Sequence, residues 1–238
     1  MAKRDKYTAP RNPQTIQGEE EVPSAQETIK GIEGWYETNK KIVNGILIGI
    51  LAVIVGIYAY NNFYLKPRNK KANDALFRAE QYFGMDSLNV ALNGDVSGPG
   101  MLKVIDKYGS TKAGNLAHYY AGVIYLKQGQ FQKAVDHLSD FDGHGTLVEP
   151  VAQGSLGDAY MELNKTDKAI SYYQKASADD KNEMLTPLYL ERLGLAYEKA
   201  GNTDKAIAAF KRIRTKFSNS PQGRNADKYL ARLGEYNL

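Results

Sequence analysis

Cysteine is absent from the 238 residues. The chain therefore has no disulfide, no thiolate nucleophile and no zinc–thiolate site, and packing must supply its stability. Histidine is scarce: His118, His137 and His144 are all there are. None stands in a pattern that pairs a nucleophile with a base, so neither acid–base nor metal chemistry is expected. Charge of one sign is hardly in excess. The net charge is +4, and the first 41 residues hold seven basic and seven acidic side chains. The surplus lies beyond Phe63 and falls far short of a nucleic-acid footprint. No glycine loop cradles a phosphate, since "GPG" at Gly98 to Gly100 contains a proline and precedes no Lys–Ser pair. "DFDGHG", Asp140 to Gly145, opens like a calcium loop, but Val151 stands where the twelfth-position glutamate belongs. A plain turn is expected there. No cofactor, metal, nucleic acid or small-molecule substrate is expected.

What the chain does have is one long apolar run. From Ile42 to Tyr60 it reads "IVNGILIGILAVIVGIYAY", nineteen residues without a charge and with a single strongly polar side chain, Asn44. As a helix this run covers roughly 28 Å, enough to cross a bilayer. Lys40 and Lys41 precede it, Lys66, Arg68, Lys70 and Lys71 follow, and Trp35, Tyr36, Tyr58, Tyr60, Phe63 and Tyr64 supply rings near both boundaries. A buried helix of a soluble domain would seldom be apolar on every face. A cleaved signal peptide fits poorly, because its charged region would be about 41 residues long and no small-x-small site follows the run. An uncleaved transmembrane helix over 42–63 is the expectation. Within twenty residues of the run the N-terminal flank has three basic residues and the C-terminal flank five, a count that favours a cytoplasmic C-terminus. Ahead of the run, "GEEEVPS" (Gly18 to Ser24) reads as a solvated, disordered tail within a polar segment 1–41. Ser24 and Glu27 have the capping-box spacing, and Ile29, Ile32 and Tyr36 follow at helical intervals, so a short interfacial helix is expected over 25–38.

The remaining chain repeats itself. "AGVIYLKQGQFQKAV" (Ala121 to Val135) returns as "LGDAYMELNKTDKAI" (Leu156 to Ile170) and "LGLAYEKAGNTDKAI" (Leu193 to Ile207). Gly122, Gly157 and Gly194 align, with Tyr125, Tyr160 and Tyr197 three residues on and Ala134, Ala169 and Ala206 twelve residues on; the spacing of the glycines is 35 and then 37. A small residue, an aromatic one turn later and an alanine across a short turn describe two antiparallel helices in close approach. Leu138, Tyr173 and Phe210 fill one large apolar slot, and Gly129, Asn164 and Gly201 mark the turns. The flanks share punctuation: "KYGSTKAGNLA" (Lys107 to Ala117) and "KFSNSPQGRNA" (Lys216 to Ala226) place a basic residue, an aromatic, a hydroxyl, a glycine and an alanine at the same offsets. The expected fold is all-α. A single transmembrane helix is followed by linking helices over 64–114, repeats over 115–220 and a closing helix over 221–238. "NGDVSGPG" (Asn93 to Gly100) is expected as a loop.

These repeats resemble the tetratricopeptide repeat, whose consensus length is 34 residues. Ala121 stands where leucine is usual, Thr166 and Thr203 stand at a usually aromatic position, and the terminal proline is out of register. The order of tail, apolar run, linking helix and repeats is similar to that of the YfgM-like family of bacterial inner-membrane proteins. That resemblance implies a cytoplasmic N-terminus, a periplasmic solenoid, no enzymatic activity, and association with translocon subunits of the Sec system and a membrane-anchored periplasmic chaperone. A scaffold of another envelope secretion or outer-membrane assembly complex, and a lipid-contacting regulatory adaptor, are the rival readings.

In this register the resemblance to tetratricopeptide repeats further implies that partners touch Leu116, Tyr119, Val123, Leu126 and Lys127 in the first repeat. In the second they touch Val151, Gly154, Asp158, Met161 and Glu162, and in the third Leu188, Glu191, Leu195, Glu198 and Lys199. This groove reads as mainly apolar. It lacks the lysine, asparagine and arginine set with which some such repeats clamp a terminal carboxylate. A second candidate surface is basic: from Lys205 to Arg232 there are eight lysines and arginines, among them Lys211, Arg212 and Lys228, against one acidic residue, Asp227. It offers itself to anionic lipid or an acidic partner.

Overall fold

The structure is a computed structural model that describes residues 25–236, so the tail reading and the Ser24 cap fall outside the described residues. The molecule divides into two units, one ending at Ala59 and one beginning at Tyr60.

The described part of the first unit is one helix, α1 (Ala25–Ala59). The stretch 25–38, expected as a helix of its own, is the start of α1. Its polar side chains turn back on the helix: Thr38 Oγ1 donates to Gly34 O (2.9 Å) and Asn39 Nδ2 to Trp35 O (2.9 Å). Tyr36 OH donates to Asn44 Oδ1 at 3.3 Å, which gives the one polar side chain of the apolar run a partner. The apolar stretch has a mean hydropathy of 2.5 and none of it is buried, and it makes the one helix among the described residues long and apolar enough to cross a membrane. By length and composition it is a candidate membrane span.

The second unit opens with a π-helical segment, Tyr60–Leu65, in which the Tyr60 and Tyr64 rings stack 5.2 Å apart. Helix α2 (Lys66–Gly84) follows, with Pro67 in its first turn where a missing N–H costs nothing. Its Ala72, Ala75, Leu76 and Ala79 are buried, one face at helical spacing, so α2 belongs to the core. After α3 (Leu88–Asn93) the segment expected as a loop forms a small antiparallel hairpin, β1 (Gly94–Asp95) and β2 (Gly98–Pro99). Asp95 organises it by accepting from Ser97 N and from Tyr82 OH, both at 2.8 Å, and the phenol and amide bonds hold its carboxyl below the usual range. Helix α4 (Met101–Tyr108) then leads into the repeats.

Three helix pairs form the repeats: α5 (Lys112–Lys127) with α6 (Phe131–Asp140), α7 (Glu149–Glu162) with α8 (Thr166–Ala176), and α9 (Leu185–Lys199) with α10 (Thr203–Lys216). α11 (Pro221–Arg232) closes the array against α10. Each helix packs on its sequence neighbours, the arrangement of a solenoid. The aligned glycines sit where the helices of a pair meet. A Cβ on Gly122 would fall 2.5 Å from Leu138 Cγ and one on Gly194 2.5 Å from Phe210 Cζ, while one on Gly157 would run into the Tyr173 ring. Ala134, Ala169 and Ala206 are wholly buried. Tyr125, Tyr160 and Tyr197 each lie under a lysine of their own repeat, Lys133, Lys168 and Lys205, at 5.3, 5.3 and 5.7 Å. Eleven residues separate each of these lysines from its glycine, so the cation is part of the repeat.

The two punctuated joints are built alike. Thr111 Oγ1 accepts from Gly114 N (3.1 Å) and donates to Tyr108 O (2.7 Å); Ser220 Oγ accepts from Gly223 N (2.9 Å) and donates to Phe217 O (2.7 Å). Each hydroxyl caps the next helix and ties it to the end of the last. In both, a Cβ on the glycine would run into the carbonyl of the preceding aromatic residue.

Candidate protein-binding groove

The first helices of the three pairs line an open depression of about 580 Å³. Leu126 and Lys127 come from α5, Asp158, Met161 and Glu162 from α7, and Arg192 and Leu195 from α9, with Tyr173 of α8 at the base. At its centre Asp158 accepts from Tyr173 OH at 2.8 Å and pairs with Arg192 Nη1. Burial first, then the Asp158 charge, pushes the Tyr173 phenol far above its ordinary value, so it stays a donor to the carboxylate. Arg192 also lies over the Tyr189 ring, 5.6 Å from its centroid, and burial raises the Tyr189 phenol to about 12. The charges are thus held by neighbours, and around them stand the apolar tips of Leu126, Met161 and Leu195. Leu195 is the most open of the three, 38% exposed. Such a floor suits an extended segment with apolar side chains at its contacts and polar backbone near Glu162 and Lys127.

Of the residues expected in the groove, Leu126, Lys127, Asp158, Met161, Glu162 and Leu195 come together here. Leu116, Tyr119 and Val123 are half-buried and pack on the core. The Tyr119 ring lies 5.4 Å from that of Tyr120 and 5.5 Å from that of Phe141, so it is a structural residue as much as a contact. Val151 is half-buried on α7. Leu188 lines a different depression, with Met184, Phe217 and Pro221. The floor is more polar than the apolar reading of the sequence, because Arg192 was missing from it and Tyr173 brings its hydroxyl. A signal existed: Tyr173 carries a hydroxyl in a slot that holds leucine or phenylalanine in the other repeats, and Asp158 stands where they have Val123 and Leu195.

The basic strip is largely neutralised, by its own Asp227 and by acids from elsewhere in the chain. Lys211 Nζ pairs with Glu235 at 2.7 Å, Arg214 with Asp227 at 3.6 Å, Arg232 with Glu198, and Arg212 and Lys216 share Asp180. Lys216 and Arg212 hold the Asp180 carboxyl below its usual range. Lys205 belongs to the Tyr197 contact, and Lys228 is exposed without a carboxylate among the described residues. The "DFDGHG" segment is a turn, in which Asn115 exchanges two 2.8 Å bonds with the Asp142 backbone and Asp142 Oδ1 accepts from His144 N at 3.1 Å. His118 and His137 do meet, Nδ1 to Nδ1 at 3.3 Å, with Asp140 3.8 Å from His118. No group of three or more metal-binding side chains occurs among the described residues.

Profiles of the tetratricopeptide repeat match residues 116–141 and 155–221. These are tetratricopeptide repeats. Among solved structures, two of a kinesin-light-chain-type protein of Podospora anserina with nearly identical TPR-like repeats, one of them a Q17M form, align with this chain. They do so at 17% and 16% identity, over 71% of this chain and 87% and 88% of their own, with TM-scores of 0.53 and 0.54. A MamA protein aligns at 23% identity over 84% of this chain and 91% of its own, with a TM-score of 0.48. Comparison with curated proteins finds no match. The tetratricopeptide array makes this a protein–protein interaction module.

Proposed function

We propose that the protein is a non-enzymatic, membrane-anchored adaptor that holds a segment of a partner protein in the groove between α5, α7 and α9. The observation that carries this reading is the open depression of about 580 Å³ that combines apolar tips with a fixed Asp158–Arg192 pair. α1 supplies the anchor by its length and its exposed apolar surface. The finer reading is an accessory subunit of the Sec translocon in the bacterial inner membrane, N-terminus cytoplasmic and solenoid periplasmic. There it keeps a membrane-anchored chaperone or an emerging chain near the channel exit. What supports it is the order of anchor, linking helix and repeats, which resembles that of the YfgM-like family.

A photoreactive residue at position 195, in the intact protein in native membranes, tests both levels. Adducts to a translocon subunit or a periplasmic chaperone are expected. Adducts confined to an outer-membrane assembly complex would move the assignment to that machine, and the absence of any protein adduct would remove the groove reading.

A further inference from the structure

Away from the groove, α2, α4 and the β hairpin enclose a second cleft of about 400 Å³. Lys71 and Arg78 reach it from α2, seven residues apart and so on one face, and Lys103 and Lys107 from α4, four apart. Asp74 is the one carboxylate in its lining. Among the described residues none of the four cations pairs with a carboxylate, whereas most cations of α10 and α11 do. Four cations gathered with one acid repel one another, and an anion in the cleft relieves that repulsion.

Contacts within the chain fix this arrangement. Arg78 Nη1 donates to Ser97 O in the hairpin turn, and its Cδ lies against Gly98, where a Cβ would come within 3.1 Å. Arg68 Nη2 donates to Lys107 O at 3.0 Å, which fixes the end of α4 against α2. Ala75, Pro99 and Tyr108 supply an apolar wall.

We propose that this cleft binds the phosphate-bearing headgroup of an anionic phospholipid. A free phosphate needs only the cations, whereas the apolar wall suits the glycerol and upper acyl carbons of a lipid. The position in the chain agrees, for Lys71 follows the last residue of α1, Ala59, by twelve residues and is tethered to whatever holds that helix. A cluster of Lys and Arg just beyond an apolar span attracts anionic lipid by about fivefold in affinity per cation. The site goes beyond the groove reading and does not depend on it.

The test uses the full chain in a neutral detergent, with phosphatidylglycerol and phosphatidylcholine as probes and bound lipid counted by native mass spectrometry. Phosphatidylglycerol should be retained preferentially. The Lys103→Ala/Lys107→Ala variant should bind it about 25-fold more weakly. Both lysines are exposed, so folding should be unchanged by circular dichroism. Lys165→Ala/Lys181→Ala, which removes the same charge from the repeats, should bind as the parent does. Equal weakening in the two variants, or none in the first, overturns the site. Displacement of the lipid by inorganic phosphate overturns the lipid assignment in favour of a soluble anion.

Discussion

Gly157 sits so close to the Tyr173 ring that a single added methyl group has no room. The ring cannot swing away freely, because it is buried and its hydroxyl is engaged by Asp158. Gly157→Ala should therefore destabilise the second repeat by about 1–3 kcal/mol, read as a clear fall in melting temperature. An unchanged melting curve would show the helices of this pair to be further apart than they are here. The need for a small residue at this point recurs three times, which is why it was legible from sequence. The Asp158–Arg192 pair was not, since it joins residues of adjacent repeats and occurs once. The histidines were legible as scarce but not as neighbours. Burial lowers both imidazoles from their ordinary 6.5; the His118 charge adds to the effect on His137, while Asp140 opposes it at both and Asp136 at His137. The folded state then binds fewer protons than the unfolded state below that value. Stability should be full above about pH 6.5 and fall as the pH drops below it. Melting temperatures between about pH 8 and pH 5 check this, and His118→Gln/His137→Gln should flatten the acid limb.

Helix starts carry the next level of information. The parallel between the two joints, 109 residues apart, came from five residue types at shared offsets, and each type has its task. The hydroxyl caps, the glycine lets the new helix cross the preceding carbonyl, and the alanine packs in the core. Thr111→Val keeps the shape of the side chain and removes the cap, so it should cost about 1 kcal/mol. A lower denaturant midpoint with an unchanged slope is the expected signature. Gly114→Ala should cost more, because the obstacle is backbone. One element in this region differs from the loop expected of it, for a physical reason. The hairpin 94–99 holds two residues per strand, too short for any alternation to show, and its cause is a single aspartate bonding to Ser97 N and Tyr82 OH.

At the scale of the whole chain, one connected core runs from Ala72 in α2 to Leu230 in α11. Solenoid stability is the sum of neighbouring interfaces, so the terminal helices matter by what they cover. α11 lays Tyr229 on Phe210, rings stacked 4.7 Å apart, and buries Ala226 and Leu230. All core residues of the second unit lie at or beyond Ala72, so residues 60–238 without α1 should fold alone and melt as the solenoid of the full chain does. Removing 221–238 as well should do the opposite of what loss of a mere tail would do. It strips the stacked ring from Phe210 and the carboxylates of Asp227 and Glu235 from Arg214 and Lys211. The third repeat would then present an apolar face of the kind that associates in water. The expected result is a lower melting temperature together with oligomers in size-exclusion chromatography. If the shortened protein stayed monomeric and melted unchanged, α11 would have no closing role, and its surface would be available for a partner instead.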